Sequence, residues 1–444
     1  MEKKKNIFIC VLPDTGHINP LLGIAKKLIN LNYEVTFYGR ITQKDLIEKS
    51  GSIFKKYKSF RDEMSRIPSV LNEPKLNMLS FFEYLIDVTY LELPSLIDDI
   101  LNEKPELIIY DHFSLPVRLT LKVMESQYSR WLIQWKPKIL VKVFTCFASL
   151  RNVYPLEKNE TLVEDGLIAL YYKFRLFIKQ TIFSLRFKIN IYNTKDFIYY
   201  KNENLNIVTI FPELQPMFDK FDSSFKFVGN CVSDETRKIQ LENLELIKIL
   251  NLFEPLNPKL KSNHLKLIYC SLGTLFNRNL FIFDSVIEAV KSLNEGFNNI
   301  KLVLGVGKDS HEEYKRRIRE ENYDLTENIV LVEFAPQIDL LKRADLFITH
   351  CGMNSASEAI HYGVPIIGVP ITVDQPLVCD RLVNQLKLGV RLKPLDINSI
   401  LFKQAILEVF NNQDYLKNCM EYSKISRKYD GCINATNLMI NYLN

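Results

Sequence analysis

No stretch of this 444-residue chain stays apolar long enough to span a bilayer, so the sequence predicts a protein that is soluble or at most peripheral to a membrane. Paired cysteines are missing too. The eight cysteines, at positions 10, 146, 231, 270, 351, 379, 419 and 432, show no Cys-x-x-Cys spacing and mostly lie in apolar runs, so they read as reduced, buried thiols of a cytosolic protein. A large charge excess is also lacking. The net charge of +5 is small for this length and spread along the chain, and it predicts no nucleic-acid partner. Neither an internal repeat nor a low-complexity tail is present. The lysines ahead of Asn6–Leu12 superficially suggest a signal peptide, but the apolar run is short, Pro13 interrupts it and no small-residue cleavage site follows. The run reads as the first strand of a cytoplasmic protein.

What the chain does have is length for two or three domains and a strand-helix-strand rhythm in both halves. Asn6–Leu12 predicts a buried strand and Tyr33–Tyr38 another. Between them the spacing predicts a loop over Pro13–Asn19 and a helix opening at Pro20. His17 then sits just ahead of a helix N-terminus, whose positive end keeps an imidazole neutral, the form a general base needs. Residues 45–104 read as helices with polar breaks. The run PELIIY predicts a strand that delivers Asp111 at its carboxyl end, and an acid there can reach the same crevice as His17.

The second half is more informative. ADLFITHCGMNSASEAIHYGVPIIGVPITVDQP, starting at Ala344, reads strand, polar loop, helix, glycine cap and strand, the βαβ pattern of a parallel sheet. Ligands of such sheets lie beyond the carboxyl ends of the strands, where helix N-termini offer free N–H groups to anions. Three strand ends carry the polar residues: Ser271 and Thr274, then Phe334 to Gln337, then His350, Gly352, Asn354 and Ser355. Hydroxyls, a histidine and a helix N-terminus suit a diphosphate. Phe334 would suit a base. Glu358, one helical turn after Asn354, suits ribose hydroxyls, and Asp374 and Gln375 suit those of a sugar.

These residues resemble the signature of the UDP-glycosyltransferase superfamily, in character close to bacterial macrolide and other natural-product glycosyltransferases. GHINPLLGIAKKL, YDHF at 110–113, SLGT at 271–274 and FAPQ at 334–337 occur in the same order as in that family. The resemblance implies a GT-B architecture of two Rossmann-like doubly wound domains facing across a cleft. The boundaries expected are 1–235 for an acceptor-binding domain and 236–425 for a nucleotide-sugar-binding domain, with 426–444 a C-terminal helix packing back on the first. Ser233 to Lys238 is read as the start of the connection between them.

By the same resemblance, His17 is the catalytic base and Asp111 its orienting partner. His350, Gly352, Asn354 and Ser355 contact the diphosphate, Glu358 the ribose, and Asp374 and Gln375 the sugar. Phe334 and Gln337 frame the base, and Ser271 and Thr274 complete the site. The implied reaction is inverting transfer of a hexose, glucose from UDP-glucose with a dTDP-sugar as the alternative, to a hydroxyl of a lipophilic small-molecule acceptor. No cofactor is expected. Since no Asp-x-Asp motif occurs, no metal is expected either. Two residues depart from the family pattern: Cys351 stands where a glycine is usual, and Phe334 where a tryptophan is usual.

Residues 167–191 carry many aromatics and aliphatics together with Lys173, Arg175, Lys179, Arg186 and Lys188, and no acid. They read either as helices packed on the first domain with basic heads reaching outward, or as a surface for peripheral membrane contact or a lipid-like acceptor. Two other functional readings stand beside transfer. A non-catalytic nucleotide-sugar or lipid-binding protein would need neither His17 nor Asp111, and a sugar-nucleotide epimerase would act on donor alone.

Overall fold

The computed structural model describes residues 4–60, 78–128, 137–150, 153–154, 167–192, 205–232, 243–253, 265–273, 280–297, 299–371 and 374–443. The chain divides into two compact units, Met1–Thr236 with Tyr429–Asn444, and Arg237–Lys428. The expected connection at 233–238 lies outside the described residues.

In the first unit β1 (Asn6–Cys10), β2 (Glu34–Gly39), β3 (Ile53–Lys56), β4 (Leu107–Asp111), β5 (Ile139–Phe144), β6 (Leu205–Val208) and β7 (Phe225–Phe227) form one sheet. Its order is β3-β2-β1-β4-β5-β6-β7, and every pairing is parallel. The strand order reverses between β1 and β4, which makes their carboxyl ends the switch point where doubly wound sheets bind ligands. Both faces are covered, so the inner strands read as continuous apolar runs; β1 is buried throughout. One core packs Ile18, Leu21, Leu22, Ala25 and Leu28 of helix α1 (Thr15–Asn30) against Ile7, Ile9 and Ile109. The C-terminal helix Gly431–Leu443 joins it through Ala435, Met439 and Leu443. Gly229 and Gly431 permit this seat: a Cβ on Gly229 would fall 2.2 Å from Tyr429 Cβ, and one on Gly431 would fall 2.3 Å from the Gly229 carbonyl oxygen.

Helix α1 starts earlier than the sequence pattern suggests. Asp14, with extended backbone, is the N-cap; its carbonyl accepts the N–H groups of His17 and Ile18, and its carboxylate accepts Thr15 N–H. Pro20 therefore lies inside the helix, where it costs one bond to the Gly16 carbonyl near an end rather than a break. His17 belongs to the first helical turn and not to a loop. The region read as helical also contains a strand, β3.

The second unit repeats the scheme. Strands β8 (Lys266–Ser271), β9 (Ile300–Gly305), β10 (Ile329–Val332), β11 (Leu346–Thr349), β12 (Ile366–Gly368) and β13 (Gly389–Arg391) are ordered β10-β9-β8-β11-β12-β13, all parallel. The reversal falls between β8 and β11. After β12 comes a short helix over Gln375–Asp380 with Pro376 in its first turn, followed by a wider turn over Arg381–Gln385. Among the described residues no helix is long and apolar enough to cross a membrane.

Candidate functional site

In the first unit the switch point brings together the end of β4 and the start of α1. His17 Nδ1 lies 2.6 Å from Asp111 Oδ2, with the aspartate side chain fully buried and the histidine 16% exposed. Asp111 is held from three directions: Oδ2 also accepts Leu12 N–H at 3.1 Å, and Oδ1 accepts Phe113 N–H at 3.1 Å. Burial pushes the Asp111 carboxyl up, but the His17 and His112 imidazoles and the Leu12 N–H outweigh it and hold the group below its ordinary value. A carboxylate only accepts, so His17 carries its proton on Nδ1 and leaves Nε2 with a lone pair. Thr145 Oγ1 lies 3.2 Å from the same Nδ1, and the Phe113 ring stands 5.9 Å from the imidazole.

Two neighbours of this pair escaped the sequence reading. Thr145 follows a strand end and carries no spacing signal. His112, which follows Asp111 in the YDHF run, is buried next to His17, ring centres 5.6 Å apart, and stacks on Phe144. Burial drives its pKa down to about 3 against the pull of Asp111, so it is neutral and takes a weak contact at 3.2 Å between Nε2 and Cys146 Sγ. Lys142, also fully buried, is pushed well below its ordinary value by burial and by Arg118.

In the second unit β8, β11 and β12 end level, with Ser271 and Gly368 both opposite Thr349. The chain then turns through His350-Cys351-Gly352 into the helix Met353–Tyr362, whose N-cap Gly352 offers no side-chain cap to the first N–H groups. Gly363 in the left-handed region ends that helix. The His350 ring sits between two glycines. A Cβ on Gly273 would lie 2.7 Å from it, and one on Gly352 2.5 Å from its Nε2. Burial lowers the His350 pKa to about 4, only partly offset by a backbone hydrogen bond at Ser271, so the imidazole is neutral. Its Nδ1 is buried without a hydrogen-bond partner among the described residues.

Gln337, Ser355 and Glu358 meet directly. Tyr269 donates its hydroxyl proton to Gln337 Oε1 at 3.1 Å, which turns the amide so that Nε2 donates to Glu358 Oε2 at 2.6 Å and to Ser355 Oγ at 3.3 Å. Tyr269 is the residue missed here; it lies two positions before Ser271 on β8 and so on the same strand face. Phe334, 63% exposed, follows the edge strand β10. Asn354 lies half-buried in the first turn of the helix after Gly352. Asp374 is at the N-cap position of the helix Gln375–Asp380 but makes no side-chain cap bond, and Gln375 Oε1 accepts Ile371 N–H at 2.8 Å. Thr274 lies outside the described residues.

Residues 316–432 match the family described as UDP-glucoronosyl and UDP-glucosyl transferase. Across its length the chain is 27% identical to the uncharacterized UDP-glucosyltransferase YdhE of Bacillus subtilis over 454 residues, covering 98% of this chain and 100% of that one. It is 24% identical to the demethyllactenocin mycarosyltransferase of Streptomyces fradiae over 407 residues, covering 89% and 77%. The chain is a glycosyltransferase, and along its whole length it resembles the UDP-glycosyltransferases. The solved glycotransferase of kitacinnamycin superposes on the whole chain with a TM-score of 0.72 at 18% identity, all of both chains being covered. Its likeness shows the fold, which is GT-B. In this glycosyltransferase the two switch points carry different chemistry, a buried carboxylate-imidazole pair in one unit and a neutral histidine at an uncapped helix N-terminus in the other.

Proposed function

We propose that this glycosyltransferase moves a hexose, glucose from UDP-glucose, to a hydroxyl of a lipophilic small molecule, with inversion at the anomeric carbon and without a divalent cation. The observation that carries the reading is the 2.6 Å bond from His17 Nδ1 to buried Asp111. It fixes the tautomer in which Nε2 takes the acceptor's hydroxyl proton, while the carboxylate stabilises the imidazolium that forms. A positioned base of this kind contributes roughly a hundredfold to ten-thousandfold. The acceptor oxygen then displaces the diphosphate in a single step, and the bond to the anomeric carbon forms on the face opposite the one that breaks.

Charge growing on the leaving diphosphate is met by the N–H groups after Gly352 and by His350, with Ser271, Thr274, Asn354 and Ser355 adding hydrogen bonds. Gln337 and Phe334 frame the base, Glu358 takes the ribose, and Asp374 and Gln375 hold the sugar hydroxyls. Phe334 presents less stacking surface than tryptophan, which leaves a dTDP-sugar as the competing donor. The apolar character of the acceptor is supported by Phe113 beside His17 and by Phe81 packed edge-on against Phe113 at 5.6 Å.

The test is a screen of nucleotide sugars against an acceptor library, with chelator present and products weighed by mass spectrometry. A hexose mass gain that survives chelation and disappears in His17→Ala is expected. No gain with any donor, or undiminished turnover in His17→Ala, would overturn the reading. A product formed from donor alone would indicate an epimerase instead.

A further inference from the structure

The helix Leu167–Phe187 is apolar on two opposite faces. One face packs into the core of the first unit, burying Leu176, Phe183 and Phe187 with Leu85 and Val88 of the helix Met78–Glu103. The other is open: Leu170, Phe174, Phe177, Ile178, Ile182 and Leu185 are between 40% and 76% exposed. At 3.6 residues per turn these six fall within an arc of about 140° and form a ridge about 22 Å long. A helix apolar all round is normally covered all round.

The polar atoms along the ridge are already used. Thr181 Oγ1 donates to the Phe177 carbonyl and accepts from Tyr192, and the Tyr171 hydroxyl accepts from Arg175. Nothing on the ridge offers directional recognition to a protein partner. Its flanks are cationic. Arg175 and Lys179 are tied to Glu83, and Lys179 also to Asp87, while Lys173, Arg186 and Lys188 are exposed. Two copies packed ridge to ridge would set these cations against their own counterparts, which disfavours a second copy as the cover. An anionic bilayer supplies what the surface lacks: apolar depth for the ridge and negative headgroups for the flanks.

We propose that the helix Leu167–Phe187 docks the protein on the surface of an anionic lipid bilayer, lying in the interface plane with the Leu170–Leu185 ridge inserted. This goes beyond the reading of the reaction and does not rest on it. The helix stays folded on the first unit when it binds, because the faces used for packing and for docking are opposite.

The experiment is co-sedimentation of the full chain with vesicles of phosphatidylcholine alone or mixed with phosphatidylglycerol. Binding to the mixed vesicles, weakened by salt and poor on phosphatidylcholine alone, is expected. Phe174→Glu with Phe177→Glu should lower the partition at least about tenfold at an unchanged melting temperature, and Lys173→Glu with Lys188→Glu by at least about tenfold as well. No binding to mixed vesicles, or equal binding by the Phe174/Phe177 variant, would overturn the proposal. So would a marked fall in that variant's melting temperature, which would mean the ridge is covered within the chain, or loss of a concentration-dependent dimer, which would mean that a second copy covers it.

Discussion

Replacing Asp111 by asparagine tests the base most directly, because it removes the charge and keeps the volume. The structure defines what the amide would meet. If its nitrogen takes the Oδ1 position, it faces Phe113 N–H, one backbone bond is lost, and the remaining oxygen still accepts from His17 Nδ1 and Leu12. If the nitrogen takes the Oδ2 position, it opposes Leu12 N–H and donates to Nδ1. The imidazole then flips to the tautomer whose Nε2 carries the proton and cannot act as a base. The smaller of the two losses is therefore the missing charge alone. With 2.6 Å between the bonded atoms the charge centres of carboxylate and imidazolium lie about 4 Å apart, worth about 4 kcal/mol at the effective dielectric of a partly buried pair.

That energy corresponds to a kcat lower by about a thousandfold, and by more where the flipped tautomer is populated. The assay is the rate of product formation at saturating donor and acceptor, with the melting temperature and donor KM followed in parallel. Donor KM should change little, since Asp111 lies in the other unit from the donor residues. The acid limb of the rate profile should move to lower pH, because the variant no longer favours the imidazolium. A kcat within about tenfold of the parent, with the fold intact, would refute the role given to the pair.

Below its ordinary 6.5, His112 stays neutral in the native state down to about 3 while the unfolded chain takes up the proton, so stability falls as the pH falls through that window. His350 adds to the same slope down to about 4; Asp111, held low, loses its contribution only as the pH drops below 3.8. His112→Phe should make the pH dependence of the urea unfolding free energy shallower by about 1 kcal/mol per pH unit between these limits, and an unchanged slope would count against a buried neutral imidazole. Gly352→Ala keeps an allowed backbone but places a methyl 2.5 Å from His350 Nε2, so it should displace the ring, raise donor KM and cost about 1–3 kcal/mol by urea unfolding. A variant structure with His350 unmoved would contradict this. Cys351, a non-glycine residue at φ 62°, carries strain of about 1 kcal/mol that glycine relieves, but its buried side chain is worth about as much; Cys351→Gly should unfold within about 1 kcal/mol of the parent.

Much of the fold was legible because both halves alternate buried strands with capped helices, and elements with strong local signals, such as Leu346–Thr349 followed by a helix ending at Gly363, stand where the pattern puts them. The short edge strands were not legible. Ile53–Lys56 carries two lysines and no buried residue, and Phe225–Phe227 is three residues long, so neither shows a period. The start of α1 was misplaced because Pro20 marks a first turn in most helices, whereas here Asp14 caps the helix and the proline's missing bond falls where it costs little. At the site, the residue types were readable but not their mutual contacts. Spacing cannot show that Gln337 bridges Glu358 and Ser355, because those bonds join separate elements of the second unit.

The turn at His350 carries the lesson furthest. Read as sequence, HCGMN offers Gly352 to a diphosphate, and Cys351 stands where a glycine is usual. The geometry adds another reason for the glycines: Gly273 and Gly352 lie on either side of the His350 ring, and a Cβ at either would collide with it. Cys351 points elsewhere. Its Sγ lies toward Gly368, where a Cβ would be 2.7 Å from it and 2.5 Å from Cys379 Sγ, and its backbone N–H is taken by Thr349 Oγ1. A side chain is tolerated at 351 because it leaves the ring untouched and costs only the strain of a left-handed residue. The same methyl at 273 or 352 would move the histidine, so the strict requirement for glycine follows the imidazole and not the whole turn.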